Sequence, residues 1–183
     1  MKKVIFVLAL SMGITSLLNA QKYFTKEGKI HFFSATTVEN IEATSNTATC
    51  VLDAATGDVE WSVLVKGFKF EKALMEEHFN ENYMESNTFP KATFKGKADL
   101  SSVNLKKDGT YKTKVSGDLT IHGVTKPIST DATFTVAGGK ITSDSKTYVN
   151  PKDFNITIPA AVKEKISDKI EVTVNATLAE LKK

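Results

Sequence analysis

Along most of the chain, apolar and polar residues alternate. Tyr111, Thr113, Val115, Gly117, Leu119 and Ile121 fall on one face at period two, with Lys112, Lys114, Ser116, Asp118, Thr120 and His122 on the other. After Gly123 the alternation resumes. Val124, Ile128, Ala132, Phe134 and Val136 share a side, opposite Thr125, Ser129, Asp131, Thr133 and Thr135. Successive side chains of a strand point to opposite faces, so this pattern predicts two half-buried antiparallel strands joined at a corner. Gly123 supplies the backbone freedom of the corner. Pro127 lacks an N–H and suits an edge, a bulge or a strand start. His122, just before the turn, is expected on the surface.

The same period marks the other strands. A first strand is expected from about Gly28, with Ile30, Phe32 and Ser34 on one face. Val38 to Ala43 reads as a weaker, polar strand. Thr47 to Val65 reads as a hairpin around Thr56-Gly57-Asp58, with Ala48, Cys50 and Leu52 inward on one arm and Val59, Trp61, Val63 and Val65 on the other. Ala92, Phe94, Gly96 and Ala98 define the next inner face. Residues 140–149, after Gly138-Gly139, form a polar strand expected at an edge, and residues 150–165 look irregular. Ile170, Val172, Val174, Ala176 and Leu178 close the series.

Between residues 70 and 84 the spacing changes to threes and fours, through Phe70, Ala73, Leu74, Met75, Phe79, Tyr83 and Met84. Glu71, Glu76, Glu77 and Glu81 are interspersed, and together these features predict a single inserted helix. The fold class is therefore all-β. About eight strands with short turns make a sandwich or a closed barrel. The proposed inner faces mix large residues with small ones (Ala48, Cys50, Ala92, Gly96, Ala98, Gly117, Ala132, Ala176). This favours an extended antiparallel barrel with room for a slender ligand, unless the small residues serve only twist and close packing.

Composition narrows the function. Lys2 and Lys3, the apolar run Val4 to Leu10 and the small residue of Leu18-Asn19-Ala20 form the pattern of a secretory signal peptide over residues 1–20. Residues 21–183 are then one exported domain, periplasmic or secreted, with no membrane span of its own. Of the 24 basic residues two fall in the leader, leaving 22 against 21 acidic. All are lysine. A near-neutral chain without arginine is a poor nucleic-acid binder. The lone Cys50 permits no internal disulfide and reads as a small buried hydrophobe, with a reactive thiol or a dimer link as the alternatives. A homodimer is compatible with this pattern.

Candidate chemistry is sparse. His31, His78 and His122 lie far apart. Glu77, His78 and Glu81 sit within a helical turn and offer one candidate metal or acid–base cluster. There is no GxSxG elbow, no Cys/His nucleophile pattern and no glycine-rich phosphate loop. The balance points to a binding protein that is not an enzyme and needs no cofactor.

Three blocks resemble one family. Leu119-Thr120, Gly123-Val124-Thr125-Lys126-Pro127 and Ile128, within GDLTIHGVTKPI, are similar to the signature of the YceI-like family. His78-Phe79 followed by Phe89-Pro90 and Thr93-Phe94 resembles a second block, and Asp153-Phe154 a third. The likeness runs from about Tyr23 to Leu181. It implies a lipocalin-like barrel with an apolar tunnel, in an exported protein that sequesters or carries a long isoprenoid chain such as a polyprenyl lipid or a quinone. Where the family places Arg-Asp before the helix histidine, this chain has Glu76-Glu77. Two carboxylates would repel a diphosphate, which favours a neutral head such as a quinone. The tunnel lining expected on this resemblance is Phe32, Trp61, Val63, Phe94, Leu119, Ile121 and Phe134, with Met75, Phe79 and Tyr83 from a helix over the mouth. The competing expectations are a metal-dependent enzyme using Glu77, His78 and Glu81, and a filled barrel serving as a stress or interaction module.

Overall fold

The computed structural model describes residues 21–181, and the predicted leader lies outside the described residues. Period two does produce strands: β1 (Lys22–Ala35), β2 (Asn40–Asp53), β3 (Asp58–Leu64), the two-residue β4 (Lys69–Phe70), β5 (Lys91–Ala98), β6 (Gly109–Ile121), β7 (Val124–Ala137), β8 (Lys140–Val149) and β9 (Ile170–Glu180). They pair antiparallel in the order β1-β9-β8-β7-β6-β5-β3-β2, and β1 also pairs with β2. That last pairing closes eight strands into a barrel. β4 is an appendage that pairs Phe70 with Ala43. Among the described residues, no helix is long and apolar enough to cross a membrane.

The early strands differ from expectation. β1 begins at Lys22, because Lys22 to Thr25 pair with Asp53 to Cys50. Register shifts between Thr25 and Ile30 then interrupt the alternation. A bulge inserts a residue and moves the inner face by one position. On β1 the buried positions pass from Tyr23 to Gly28; on β2 they pass from Ala43 and Ser45 to Ala48, Cys50 and Leu52. A chain read by strict parity therefore loses the start of β1 and splits β2 in two. β8 is not an edge strand. It pairs along its length with β9 and from Lys140 to Ser145 with β7. Its polar sequence reflects hydroxyl side chains turned inward.

The helix is shorter than predicted. α1 covers Ala73–His78, and the chain then makes one π-helical turn over Phe79–Tyr83, closed by Met84 N–H donating to the Phe79 carbonyl at 2.9 Å. A π turn brings together residues five apart rather than four. Phe79 and Met84 thus share the inner side, and Met84 is buried where Tyr83 is only half-buried.

Two apolar clusters flank the barrel interior. At one end Tyr23, Cys50, Leu52, Val136, Ile141 and Leu178 pack together, sealed by Leu100, Val103 and Leu105 from the β5–β6 connection. Cys50 is 1% exposed, and burial pushes its thiol far above the ordinary range. It is a core residue, so it offers no accessible link or nucleophile. At the other end Val63 and Phe68 pack with Phe32, Phe70 and Phe79. The Phe32 and Phe79 rings stack at 5.4 Å, and Phe70 lies 5.0 Å from Phe79.

Candidate ligand cavity

Between these clusters the interior is not filled. A cavity of about 220 Å³ runs up the barrel axis, with Val59 and Phe134 toward the sealed end and Phe79, Met84 and Phe154 toward the other. Eight of the expected residues meet on its wall. β1 contributes Phe32, β3 Trp61 and Val63, β5 Phe94, β6 Leu119 and Ile121, β7 Phe134, and the π turn Phe79. Met75 and Tyr83 are not on the wall; the π turn substitutes Met84 for Tyr83. Sequence reasoning passed over Ile30 and Phe68, and over Val172 and Val174 of β9, although the period-two pattern had turned β9 inward. It also passed over Thr130, Ser143, Ser145 and Thr147, because hydroxyl residues do not register as an inner face.

Most of the small inward residues do not create the space. Only Ala92 and Ala132 of that set reach the cavity wall. Gly96 and Gly117 let the backbones of β5 and β6 approach, since a Cβ on either would meet the partner strand's main chain. Gly96 also leaves room for the Phe94 ring, whose Cζ lies 2.6 Å from where its Cβ would be. Gly28, outside the expected set, does the same for Trp61, whose Cζ3 lies 2.7 Å from where its Cβ would be. Close packing claims these positions, and the larger side chains define the void.

The three sequence blocks converge at the open end. His122 (φ 50°) and Gly123 (φ 73°) form the two-residue β6–β7 turn, the left-handed pair that matches hairpin twist. His122 is not on the surface: its side chain is 10% exposed. Its ring meets Phe89 edge-on at 4.4 Å, and Nδ1 donates to the Phe154 carbonyl at 3.3 Å. A carbonyl only accepts, so Nδ1 carries the proton. Nε2 faces Glu85 Oε1 at 3.4 Å without a hydrogen bond. The segment Pro151–Phe154 is itself capped by Asn150, whose side chain accepts from Lys152 N. Turn, helix exit and this short segment are thus locked together around the rim.

No charged side chain lines the cavity among the described residues. Glu76 turns to Lys69 at 2.7 Å, and that hydrogen bond holds its carboxyl below the ordinary glutamate range. The repulsion expected from Glu76-Glu77 thus loses one of its two free charges. Glu77, His78 and Glu81 are exposed, and no three His, Cys, Asp or Glu side chains gather to hold a metal among the described residues. A wider depression of about 750 Å³ lies on the outer face of β6 to β8. Its lysines and aspartates include the Lys114–Asp131 pair at 3.2 Å, and it shares only Ala132 and Ser145 with the interior cavity. It is a solvated surface; the interior cavity is the binding candidate.

A closed antiparallel eight-stranded barrel with an apolar interior and a short helix at its rim is the architecture of a lipocalin-like protein. Within that class the chain belongs to the YceI-like family, whose domain model matches residues 16–178. A UPF0312 protein of Pseudomonas putida is 31% identical over 97 residues, 50% of this chain and 47% of that protein, so the chain spans about half the length of this curated relative. A polyisoprenoid binding domain from Saccharophagus degradans, implicated in plant cell wall breakdown, superposes with a TM-score of 0.74 at 15% identity, covering 88% of this chain and 99% of that one. BcnA of Burkholderia cenocepacia superposes with a TM-score of 0.69 at 19% identity, covering 83% and 96%. At these identities the likeness is one of fold.

Proposed function

We propose that this protein is an exported carrier that holds a long isoprenoid chain, from a polyprenyl lipid or a quinone, inside the barrel. The observation that carries the proposal is the unfilled interior: an uncharged cavity, sealed at one end and walled mainly by Phe, Val, Leu and Ile. Transfer of an apolar chain into such a space gains about 0.8 kcal/mol per buried CH₂, so the part of the chain that the cavity admits is held without any ionic contact. The likeness to a polyisoprenoid binding domain supports the same reading, and the basic, apolar leader over residues 1–20 supports periplasmic or secreted localisation. Phe32, Trp61, Val63, Phe79, Phe94, Leu119, Ile121 and Phe134 are the proposed chain contacts. The role is sequestration or transport; no residue is assigned to catalysis.

Native mass spectrometry of the purified protein, with organic extraction in parallel, tests this directly. A discrete extractable apolar mass is expected. Ile121→Trp places an indole in the upper cavity and is expected to cut uptake of added quinone or polyprenol at least about tenfold while the thermal unfolding midpoint stays close to wild type. An apo mass with no uptake of either lipid by the wild type would return the protein to the interaction-module reading.

A further inference from the structure

The cavity wall is not uniform. On β8 the inward positions are Ser143, Ser145 and Thr147, and Thr130 of β7 joins them. Cross-strand pairing gives their height. Ser143 lies opposite Phe134 and Ala176, Ser145 opposite Ala132 and Val174, and Thr147 opposite Val172. The hydroxyls therefore begin at the sealed end and climb to the middle of the tunnel. Above them Val149, Ile170, Phe154 and Ile156 make the wall apolar again. The polar part of this cavity is deep, and its mouth is greasy.

The hydrogen bonding sets these groups apart. Hydroxyls on the outer face of the same barrel pair with each other: Ser116 with Ser129 at 2.7 Å, Thr120 with Thr125 at 2.8 Å, Thr142 with Thr177 at 3.1 Å. Inside, Thr130 Oγ1 donates to the Lys146 carbonyl at 2.7 Å, bridging β7 and β8 just past the last residue pair that joins them. Its lone pairs remain free. No hydrogen bond joins the hydroxyls of Ser143, Ser145 or Thr147 to another described group of the protein. A polar group left unpaired against hydrocarbon carries the uncompensated cost of its lost hydration. A purely hydrocarbon occupant would impose that cost on several groups along one wall.

We propose that Ser143, Ser145, Thr147 and Thr130 form a recognition site for the neutral, oxygen-bearing head of an amphiphile that enters head first. This rests on the lipid-carrier reading and deepens it. The head sits against the β7–β8 wall, where hydroxyls donate to its carbonyl or ether oxygens and accept from any hydroxyl it carries. The apolar tail runs up between Phe32, Phe79 and Phe154 to the mouth. With no charged side chain on the described wall, an ionised head gains no counter-ion and loses its hydration, so the site selects a neutral head such as a quinone ring over a phosphate.

The test compares two probes of equal isoprene content: squalene, which has no polar head, and a ubiquinone with the same number of isoprene units. Affinities are read by competition in native mass spectrometry and by quenching of Trp61, the single tryptophan. Wild type is expected to prefer the quinone by about tenfold or more, as one or two hydrogen bonds of ordinary strength would give. A Ser143→Ala, Ser145→Ala, Thr147→Val variant is expected to lose most of that preference and to keep its squalene affinity. Thr147→Val alone, which preserves the side chain's shape, reports in the same direction should the triple variant fail to fold. Equal affinity of wild type for the two probes would overturn the proposal, as would a folded variant that retains the preference. Failure of wild type to take up either probe would overturn the carrier reading with it.

Discussion

At the scale of single residues, the rim of the barrel depends on His122 and Gly123. Gly123 adopts φ 73°, and a Cβ there would stand 2.6 Å from Phe89 Cε1. Gly123→Ala meets both a left-handed backbone penalty and a clash with a packed ring. It is expected to lower stability by about 1–3 kcal/mol, measured by urea unfolding, whereas Gly138→Ala, with nothing within 4 Å of its Cβ, carries only the backbone part. A loss at Gly123 no larger than at Gly138 would show that Phe89 gives way freely. The need for a glycine was legible from the turn pattern. The burial of His122 was not, because Phe154, whose carbonyl it binds, is 32 residues away in the chain.

At the scale of elements, the segment across the mouth shows how a local pattern is reinterpreted by packing. Apolar spacing suggested one helix over residues 70–84. Phe70 instead joins β4, where Glu76 Oε2 accepts from its N–H at 3.4 Å, while Oε1 takes Lys69. One carboxylate thus ties α1 back to the strand before it. Its pKa is depressed first by the Lys69 hydrogen bond, so the folded state binds the proton less well than the unfolded chain. That contribution is complete above the unfolded glutamate value of about 4.3 and is lost as pH falls through the lowered folded value. Glu76→Gln is therefore expected to unfold at a slightly lower temperature than wild type at neutral pH and to converge with it in acid. The gap should be small, since exposed pairs contribute about 0–1 kcal/mol. A difference that does not shrink on acidification would assign the effect to packing instead.

For the whole molecule, closure is the governing feature. β1 is held between β2 and β9, so the first and last strands of the described domain complete each other. β9 also brings Val172 and Val174 to the cavity. Truncation before Ile170 would remove one wall and leave β1 and β8 as open edges with unpaired backbone groups. The truncated chain is expected to aggregate on size-exclusion chromatography and to bind a hydrophobic dye. A monodisperse, dye-negative product would mean that seven strands suffice. An eight-stranded barrel has an interior just wide enough either to be packed or to hold one slender ligand. Here the end around Leu52, Ile141 and Leu178 is packed, and the interior from there toward the mouth is not.

What the sequence determined by itself is whatever depends on near neighbours. Period-two alternation defines the inner faces of β3, β5, β6, β7 and β9, because adjacent side chains of a strand must point to opposite sides. The all-β class and the wall residues Trp61, Val63, Phe94, Leu119, Ile121 and Phe134 follow from that rule, whereas Phe79 followed from helical spacing. Tertiary structure decided the rest. Bulges in β1 and β2 shift the inner face where two strands must bend together, and strict parity cannot foresee them. The π turn exchanges Tyr83 for Met84 because its hydrogen bond brings Phe79 and the residue five positions on to one side. β8 carries polar residues yet lies within the closed sheet, since closure leaves no edge for it to occupy. Hydrophobicity patterns register what is excluded from water; they do not register hydroxyls that wait inside a cavity for a partner.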